Sequence, residues 1–121
     1  MADELTVKPY IRLSNGNLKQ TISPGSLTFD QSGNGYYHNV SNIGTSEESI
    51  ATFGDVSTEG WCYMRNADAT NYVQWGFSTG VYGGRMEAGE TAGPFRMEPG
   101  LTLYLKANTA ACNVEIFVAE D

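Results

Sequence analysis

The stretch Gly60-Trp-Cys-Tyr-Met-Arg-Asn-Ala-Asp-Ala-Thr-Asn-Tyr-Val-Gln-Trp-Gly76 decides the fold class of this chain. Two runs rich in aromatic and β-prone residues, 61–65 and 72–75, flank the polar segment 66–71. Asparagine and aspartate side chains bond their own backbone and favour tight turns. The stretch therefore predicts a β-hairpin that contains both tryptophans of the chain.

Outward from this stretch, the chain consists of short segments in which apolar and polar residues alternate. Residues 5–13 alternate, and Pro9 places that strand at a sheet edge or a bulge. Residues 101–106 and 112–118 alternate as well, whereas no segment keeps helical spacing for more than about two turns. About nine or ten short strands joined by turns predict an all-β fold, a jelly-roll-like β-sandwich. By its length the chain is expected to form a single domain, 1–121.

The same alternation assigns a core. Six inward-facing side chains are expected to lie together between two sheets: Val7, Leu27, Leu103, Leu105, Val114 and Ile116. One short pattern occurs twice, as Arg85-Met-Glu-Ala-Gly89 and as Arg96-Met-Glu-Pro-Gly100. Five residues repeated once predict the same turn used twice, with each methionine inward, and not a structural repeat.

Composition limits the partners. The 121 residues include 7 basic and 14 acidic side chains, for a formal charge of −7. Such a chain repels phosphate, so neither nucleic acid nor a membrane is an expected partner. The acidic start predicts synthesis in the cytosol without a signal peptide, with Cys62 and Cys112 reduced. The less favoured alternative is that the two thiols face each other and pair on oxidation.

Sequence signals for catalysis or metal binding are weak. Gly76-Phe-Ser-Thr-Gly80 has the spacing of a nucleophile elbow, but no helix pattern follows and the single histidine, His38, lies upstream. A structural or surface role is the better hypothesis for His38. Asp68 with Asn66 and Asn71 is explained better by turn formation than by calcium binding. The sequence therefore predicts no enzyme, no catalytic residue, no metal site and no cofactor.

What remains is the surface. Aromatic and arginine side chains at predicted outward positions are the candidate interface residues. They are Tyr10, Arg12, Trp61, Tyr63, Trp75, Arg85, Arg96, Tyr104 and Phe117. For residues 61–64 the sequence does not decide which side chains point outward: either Trp61 and Tyr63 or Cys62 and Met64 do. An acidic subunit that self-associates is expected to use apolar contacts and pairs of Arg12, Arg85 and Arg96 with carboxylates of neighbouring copies. Salt screens the repulsion between the acidic copies, so the homo-oligomers are expected to hold or strengthen as the salt concentration rises.

The second half of the chain resembles small virion proteins of tailed bacteriophages. The resemblance rests on Arg65-Asn66-Ala-Asp68 with Asn71-Tyr-Val73, on Ala88-Gly-Glu90, and on Phe95-Arg-Met97. It extends through the strand that ends in Lys106-Ala-Asn108 and the last strand, which ends in Ala119-Glu-Asp121. Such proteins are jelly-roll or β-sandwich accessory subunits, and no catalytic residues come with the resemblance.

The resemblance implies a structural role in a bacteriophage particle. The favoured hypothesis is a capsid decoration (cement) protein that stiffens the shell through subunit contacts. Its expected partners are capsid or other virion proteins and further copies of itself, as a homo-oligomer such as a trimer, and its location is the virion, assembled in the host cytoplasm. The alternatives are a tail, adaptor or fibre-associated protein and, from a different class, a carbohydrate-binding module that uses aromatic side chains as a platform.

Overall fold

Every regular element of the chain is a β-strand. The computed structural model describes residues 3–121, and this range contains twelve strands and no helix. The strands are β1 (Leu5–Val7), β2 (Ile11–Asn15), β3 (Leu18–Ile22), β4 (Leu27–Phe29), β5 (Tyr36–Ile43), β6 (Glu48–Ile50), β7 (Glu59–Asn66), β8 (Val73–Gly76), β9 (Gly84–Met86), β10 (Thr91–Arg96), β11 (Leu103–Ala107) and β12 (Cys112–Glu120). The prediction of an all-β fold is confirmed. The chain divides into two compact units, Met1–Ser32 and Gly33–Asp121.

The first unit contains two antiparallel strand pairs, β1 with β4 and β2 with β3. Strands β2 and β3 form a hairpin in which Asn15 pairs with Leu18 across the two-residue loop Gly16-Asn17. Gly16 has a φ of 57°, a conformation that glycine adopts without strain at the first position of such a loop. The positive φ of Gly16 therefore fits the tight two-residue loop of this hairpin.

The single strand predicted over residues 5–13 is wrong. The structure ends β1 at Val7 and begins β2 at Ile11, so Pro9 lies between two strands. Proline has no backbone N–H to donate to a strand ladder, which explains the break. The expected burial also fails beyond the break, because Ile11 is 65% exposed.

The second unit is an eight-stranded jelly roll. Its strands β5 to β12 form two antiparallel sheets, with the orders β10-β7-β12-β5 and β6-β11-β8-β9. From β5 to β8 and again from β9 to β12, each strand lies in the opposite sheet from the one before it. The connection from β8 to β9 stays within one sheet. This double Greek-key arrangement is the one that defines a jelly roll. The predicted sandwich is thus built by Gly33–Asp121.

The core of this unit lies between its two sheets. Alternate side chains of β12 and β7 enter it from one sheet, and side chains of β11, β8 and β9 enter it from the other. Leu103, Leu105, Val114 and Ile116 are fully buried there, as predicted. Val7 and Leu27 are not part of this cluster; they pair with each other across β1 and β4. Alternation in sequence reports that one face of a strand is buried, but not which element covers it.

The hairpin predicted at residues 60–76 is also wrong. Strand β7 pairs with β10 and β12, whereas β8 pairs with β11 and β9, so the two strands belong to opposite sheets. Residues 66–71 carry the chain across the end of the sandwich. Both a hairpin loop and a crossing between sheets favour asparagine and aspartate, so composition could not separate the two.

We call this crossing, residues 66–71, the Asn66 corner, because hydrogen bonds of the Asn66 side chain hold it together. The fully buried side chain of Asn66 donates from Nδ2 to the carbonyl oxygens of Asn71 (2.8 Å), Met86 (3.1 Å) and Glu87 (3.3 Å). Its Oδ1 accepts from the N–H of Asp68 at 3.0 Å. The Asn66 amide thereby links the end of β7 to the turn that follows β9, and so joins the two sheets at one end.

Asp68 closes the other side of the corner. Its carboxylate accepts from the backbone N–H of Asn71 (2.7 Å) and of Thr70 (3.0 Å), and these bonds lower the pKa of Asp68. The turn-forming role predicted for Asn66, Asp68 and Asn71 is confirmed. The repeated Arg-Met-Glu pattern is likewise one turn used twice: Met86 and Met97 are buried, and Gly89 and Gly100 have φ values of 79° and 85°.

The two cysteines lie far apart on one sheet. Both are free and buried. Cys62 lies opposite Val118 of β12, six residues along the strand from Cys112, which corresponds to roughly 20 Å at about 3.3 Å per residue. Because a disulfide requires Cα atoms within about 7 Å, the two thiols cannot pair in this fold. Burial raises the pKa of Cys62 to about 12, so its thiol stays protonated.

Candidate functional site

The outer face of the sheet β10-β7-β12-β5 carries a cluster of aromatic side chains. We call it the outer aromatic face and define it by Tyr36, His38, Trp61, Tyr63 and Phe117. Cys62 and Met64 are buried, so β7 directs Trp61 and Tyr63 away from the core, which decides between the two facings left open by the sequence. Phe117 lies on the same side because Ile116 and Val118 enter the core. The face follows from the register of three adjacent strands.

That register places the aromatic side chains in a row across the sheet. Phe117 lies directly opposite Tyr63 on one neighbouring strand and opposite His38 on the other. The His38 ring meets the Phe117 ring edge-on, with 5.8 Å between the ring centroids. The Tyr36 ring stacks on the Phe117 ring, with 6.4 Å between their centroids. Tyr36 is 65% exposed, so this row remains open to solvent at the edge strand β5.

Charged groups border the row. His38 Nε2 lies 2.7 Å from Glu115 Oε2, and Arg65 lies opposite Glu115 on β7. At the other border, Arg96 lies over the Trp61 ring at 5.8 Å and donates to Asp121 at 2.7 Å. Aromatic rings flanked by arginine and carboxylate groups are typical of protein–protein contacts, since rings supply apolar area and charges set the orientation.

The structure brings together four of the nine predicted interface residues. Trp61, Tyr63, Arg96 and Phe117 lie on or beside the outer aromatic face. Tyr104 and Arg85 belong to the opposite sheet, where Arg85 lies over the Tyr72 ring at 3.9 Å. Tyr10 and Arg12 are exposed in the first unit.

Trp75 is not on an outer face. It lies opposite the buried Leu105 and packs against the core. Its ring stacks on Phe95 at 5.4 Å with an angle of 15° between the planes, and Phe77 meets it edge-on at 6.0 Å. The predicted hairpin contained both tryptophans, whereas the crossing between the sheets places Trp61 and Trp75 on different sheets.

Sequence reasoning missed Tyr36 and His38 as members of the face. Either parity of β5 carries apolar residues, so its facing was ambiguous from the sequence. The signal that resolves it is the pairing with β12, in which Ile43 lies opposite Cys112 and both are buried. Tyr36 and His38 then face outward, because they have the opposite parity to Ile43.

A shallow cleft lies along the exposed edge of β5. It has a volume of about 680 Å³ and combines aromatic, amide and carboxylate groups. Its principal lining residues are Asn34, Tyr36, Tyr37, His38, Asn39 and Asp55. Rings beside amide and carboxylate groups can stack on and hydrogen-bond a polar small molecule such as a sugar.

Elsewhere in the jelly roll, Glu47 joins two loops. Its carboxylate accepts hydrogen bonds from the Thr79 hydroxyl, the Tyr82 hydroxyl (2.6 Å) and the Gly80 N–H (2.7 Å). These bonds, that of Thr79 first, lower the pKa of Glu47, and the same carboxylate raises the pKa of Tyr82 to about 12. Glu47 therefore fastens the loop after β5 to the loop between β8 and β9.

This contact predicts an alkaline titration that differs from that of ordinary tyrosines. Because the folded-state pKa of Tyr82 is raised, its contribution to stability is complete below about pH 10 and is lost as the pH rises towards about 12. Glu47 has the opposite sign: its contribution is present above pH 4.5 and is lost as the pH falls below its lowered pKa. Ultraviolet absorbance of the folded protein should show a late-ionising tyrosine that disappears in Tyr82→Phe.

Two variants test the cause. Glu47→Gln removes the charge, and the Tyr82 ionisation should return towards about pH 10. Glu48→Gln is the matched control on the neighbouring residue, whose carboxylate accepts from the Gly44 N–H, and it should leave the Tyr82 titration unchanged. Identical titrations of the wild type and Glu47→Gln would contradict the assignment.

Two further findings concern metals and membranes. Within residues 3–121, no group of three or more histidine, cysteine, aspartate or glutamate side chains is placed to hold a metal ion. Across the same range, no helix has the length and apolar character needed to cross a membrane.

The outer aromatic face and the adjoining cleft are thus the places where the jelly roll offers the most binding chemistry. Comparison of the chain with protein-family models, with curated proteins and with solved structures finds no match.

Proposed function

We propose that this chain is a non-enzymatic structural protein of a bacteriophage particle, where it decorates the capsid and stabilises the shell through subunit contacts. The observation that carries the proposal is the outer aromatic face, an ordered row of rings bordered by Arg65, Arg96 and Glu115. The resemblance of residues 60–121 to small virion proteins supplies the biological setting. The jelly roll supports the proposal as a fold common among capsid domains.

The mechanism is burial of surface. Rings held by neighbouring strands lose little conformational entropy on binding, so their apolar area contributes to affinity with a small ordering cost. Arg65 and Arg96 at the border would meet carboxylates of a capsid subunit and fix the orientation. A decoration protein bound in this way adds contacts that a bare lattice lacks and raises the force or temperature at which the shell breaks. A tail, adaptor or fibre-associated subunit could use the same face against a different virion protein.

The test uses capsids that lack this protein. Wild-type chain added to such capsids should bind saturably, co-sediment with them and appear as added density in electron cryo-microscopy. Tyr63→Ser, on the outer aromatic face, should weaken binding at least tenfold, since a central interface tyrosine typically contributes more than about 1.4 kcal/mol. Tyr104→Ser is the matched control, because Tyr104 is a half-buried tyrosine on the opposite sheet. Equal binding by the two variants would argue against the face, and no binding by the wild type against the function.

A carbohydrate-binding module is the second candidate, and the cleft beside β5 favours it. Tyr36 and His38 offer ring surfaces there, and Asn34, Asn39 and Asp55 offer hydrogen-bonding groups. Saturable binding to a defined glycan, abolished by Tyr36→Ala, together with no affinity for capsids would replace the decoration proposal with this one.

A further inference from the structure

The hairpin β2–β3 exposes an apolar face. Ile11 lies directly opposite Ile22, Leu13 opposite Gln20 and Asn15 opposite Leu18, so these side chains share one side of the hairpin. Its four aliphatic members, Ile11, Leu13, Leu18 and Ile22, are 49–65% exposed. The other side carries Arg12, Ser14, Lys19 and Thr21. We call the first side the hairpin apolar face.

An uncovered face of this kind is unfavourable for a two-stranded ribbon. Strands β2 and β3 pair with each other and with no other strand of the described range. A lone hairpin is marginally stable in water unless its apolar side packs on something else. Contiguous exposed aliphatic side chains on a small protein typically mark an interaction site. The hairpin therefore needs a partner surface.

The charge distribution favours an acidic partner surface. Residues 5–29 contain Lys8, Arg12 and Lys19 and no acidic residue. Met1–Ser32 contains three of the 7 basic and three of the 14 acidic residues, so Gly33–Asp121 carries the entire formal charge of −7. Two hairpins would repel each other, whereas a hairpin and a jelly-roll unit attract. Arg12 and Lys19 lie on the side of the hairpin opposite its apolar face, but the hairpin is only one strand layer thick. They therefore stay within roughly one Debye length, about 10 Å at 0.1 M salt, of any surface that the apolar face covers, and still attract acidic groups there.

We propose that the hairpin docks on the acidic jelly-roll unit of a second copy of this chain. Each copy donates one hairpin and accepts one, and such a head-to-tail contact gives a symmetric ring when the rotation between successive copies closes. Aliphatic burial provides the affinity, and opposite charge selects the jelly roll over another hairpin. The inference goes beyond the proposed function, because it requires no capsid and rests on the hairpin apolar face.

Sedimentation velocity of the full chain over a range of concentrations tests the association. The wild type should form a discrete oligomer. Ile11→Thr with Ile22→Thr keeps β-branched side chains but removes apolar area, and should weaken association at least tenfold. Val81→Thr makes the same kind of change at a 64%-exposed position of the jelly roll and should have no effect. A wild type that stays monomeric at all concentrations, or equal association by all three proteins, would overturn the proposal.

Charge reversal tests the choice of partner. Arg12→Glu with Lys19→Glu leaves the apolar face intact, and should weaken association about tenfold at low salt and much less at high salt. Carbodiimide cross-linking of mixed light- and heavy-isotope chains locates the contact: bonds between copies should join Lys8 or Lys19 to carboxylates of Gly33–Asp121. Cross-links between copies that avoid the hairpin lysines would overturn the proposal, and so would charge-reversed chains that associate as tightly as the wild type. Capsid binding, measured separately, reports on the proposed function alone.

Discussion

Replacing Asn66 by aspartate is expected to destabilise the jelly roll by about 3–5 kcal/mol at neutral pH, the usual cost of an unpaired buried charge. The change is nearly isosteric, so packing is preserved while the donor is removed. The Asn66 amide donates to three carbonyl oxygens and is fully buried. A carboxylate oxygen in place of the amide nitrogen would face these three acceptors, and the Asp68 N–H at the other oxygen would be the one donor of this network left to it. Asn66→Ala should cost less, about 1–3 kcal/mol, because it leaves unsatisfied groups but no charge.

The pH dependence separates the two variants. Burial among carbonyl oxygens raises the pKa of the introduced carboxyl in the folded state above its unfolded value. The folded variant then binds a proton that the unfolded chain releases, so the penalty of Asn66→Asp shrinks as the pH falls from 7 towards 5. The penalty of Asn66→Ala stays constant over the same interval.

Urea denaturation of both variants at the two pH values measures these free energies of unfolding. Asn113→Asp is the control, because Asn113 is exposed and its Oδ1 accepts a hydrogen bond from Asn42, which a carboxylate can accept as well. It should change stability by less than about 0.5 kcal/mol. If Asn66→Asp were no more destabilising than Asn66→Ala at pH 7, the buried amide network would not hold the corner.

Truncating Leu103 to alanine is expected to lower the free energy of unfolding by about 2–5 kcal/mol. Leu103 is fully buried in β11, and β11 lies between β6 and β8 in its sheet. The substitution removes apolar area from the core and leaves a cavity that the surrounding strands can close only in part. Loss of this size would unfold a large part of a marginally stable domain at room temperature.

The chain contains a matched control for this change. Leu18→Ala makes the same substitution at a side chain that is 63% exposed in the hairpin β2–β3. It should cost less than about 1 kcal/mol when the protein is dilute enough to be monomeric, since little apolar area is withdrawn from the folded chain. Comparable losses for Leu103→Ala and Leu18→Ala would contradict the assignment of the core to the jelly roll.

Strands could be predicted from the sequence where one face of the strand is buried and the other is exposed to solvent. Strands β11 and β12 alternate so regularly that Leu103, Leu105, Val114 and Ile116 could be assigned to the core from the sequence alone. The turns after Met86 and Met97 were predictable for a different reason. In each, a glycine three residues after the methionine indicates a backbone with positive φ.

Partners across the sheets were not predictable in the same way. The crossing at residues 66–71 uses the residues that a hairpin loop would use, so β7 and β8 looked like neighbours in sequence and are members of opposite sheets. The outer aromatic face depends on the register between β5, β7 and β12, which combines segments up to about eighty residues apart. Local composition carries little information about such pairings, because contacts between distant strands fix the register.

The depth of the two thiols has a practical consequence. Thiolates, not thiols, react with maleimides and iodoacetamides, and burial of Cys62 and Cys112 raises the pKa of both. A cysteine introduced at the exposed Val81 would therefore react selectively, with the native cysteines left in place. Fluorophores, gold clusters or displayed peptides could be attached to each copy at one defined point, and the spacing between labels would map the arrangement of subunits.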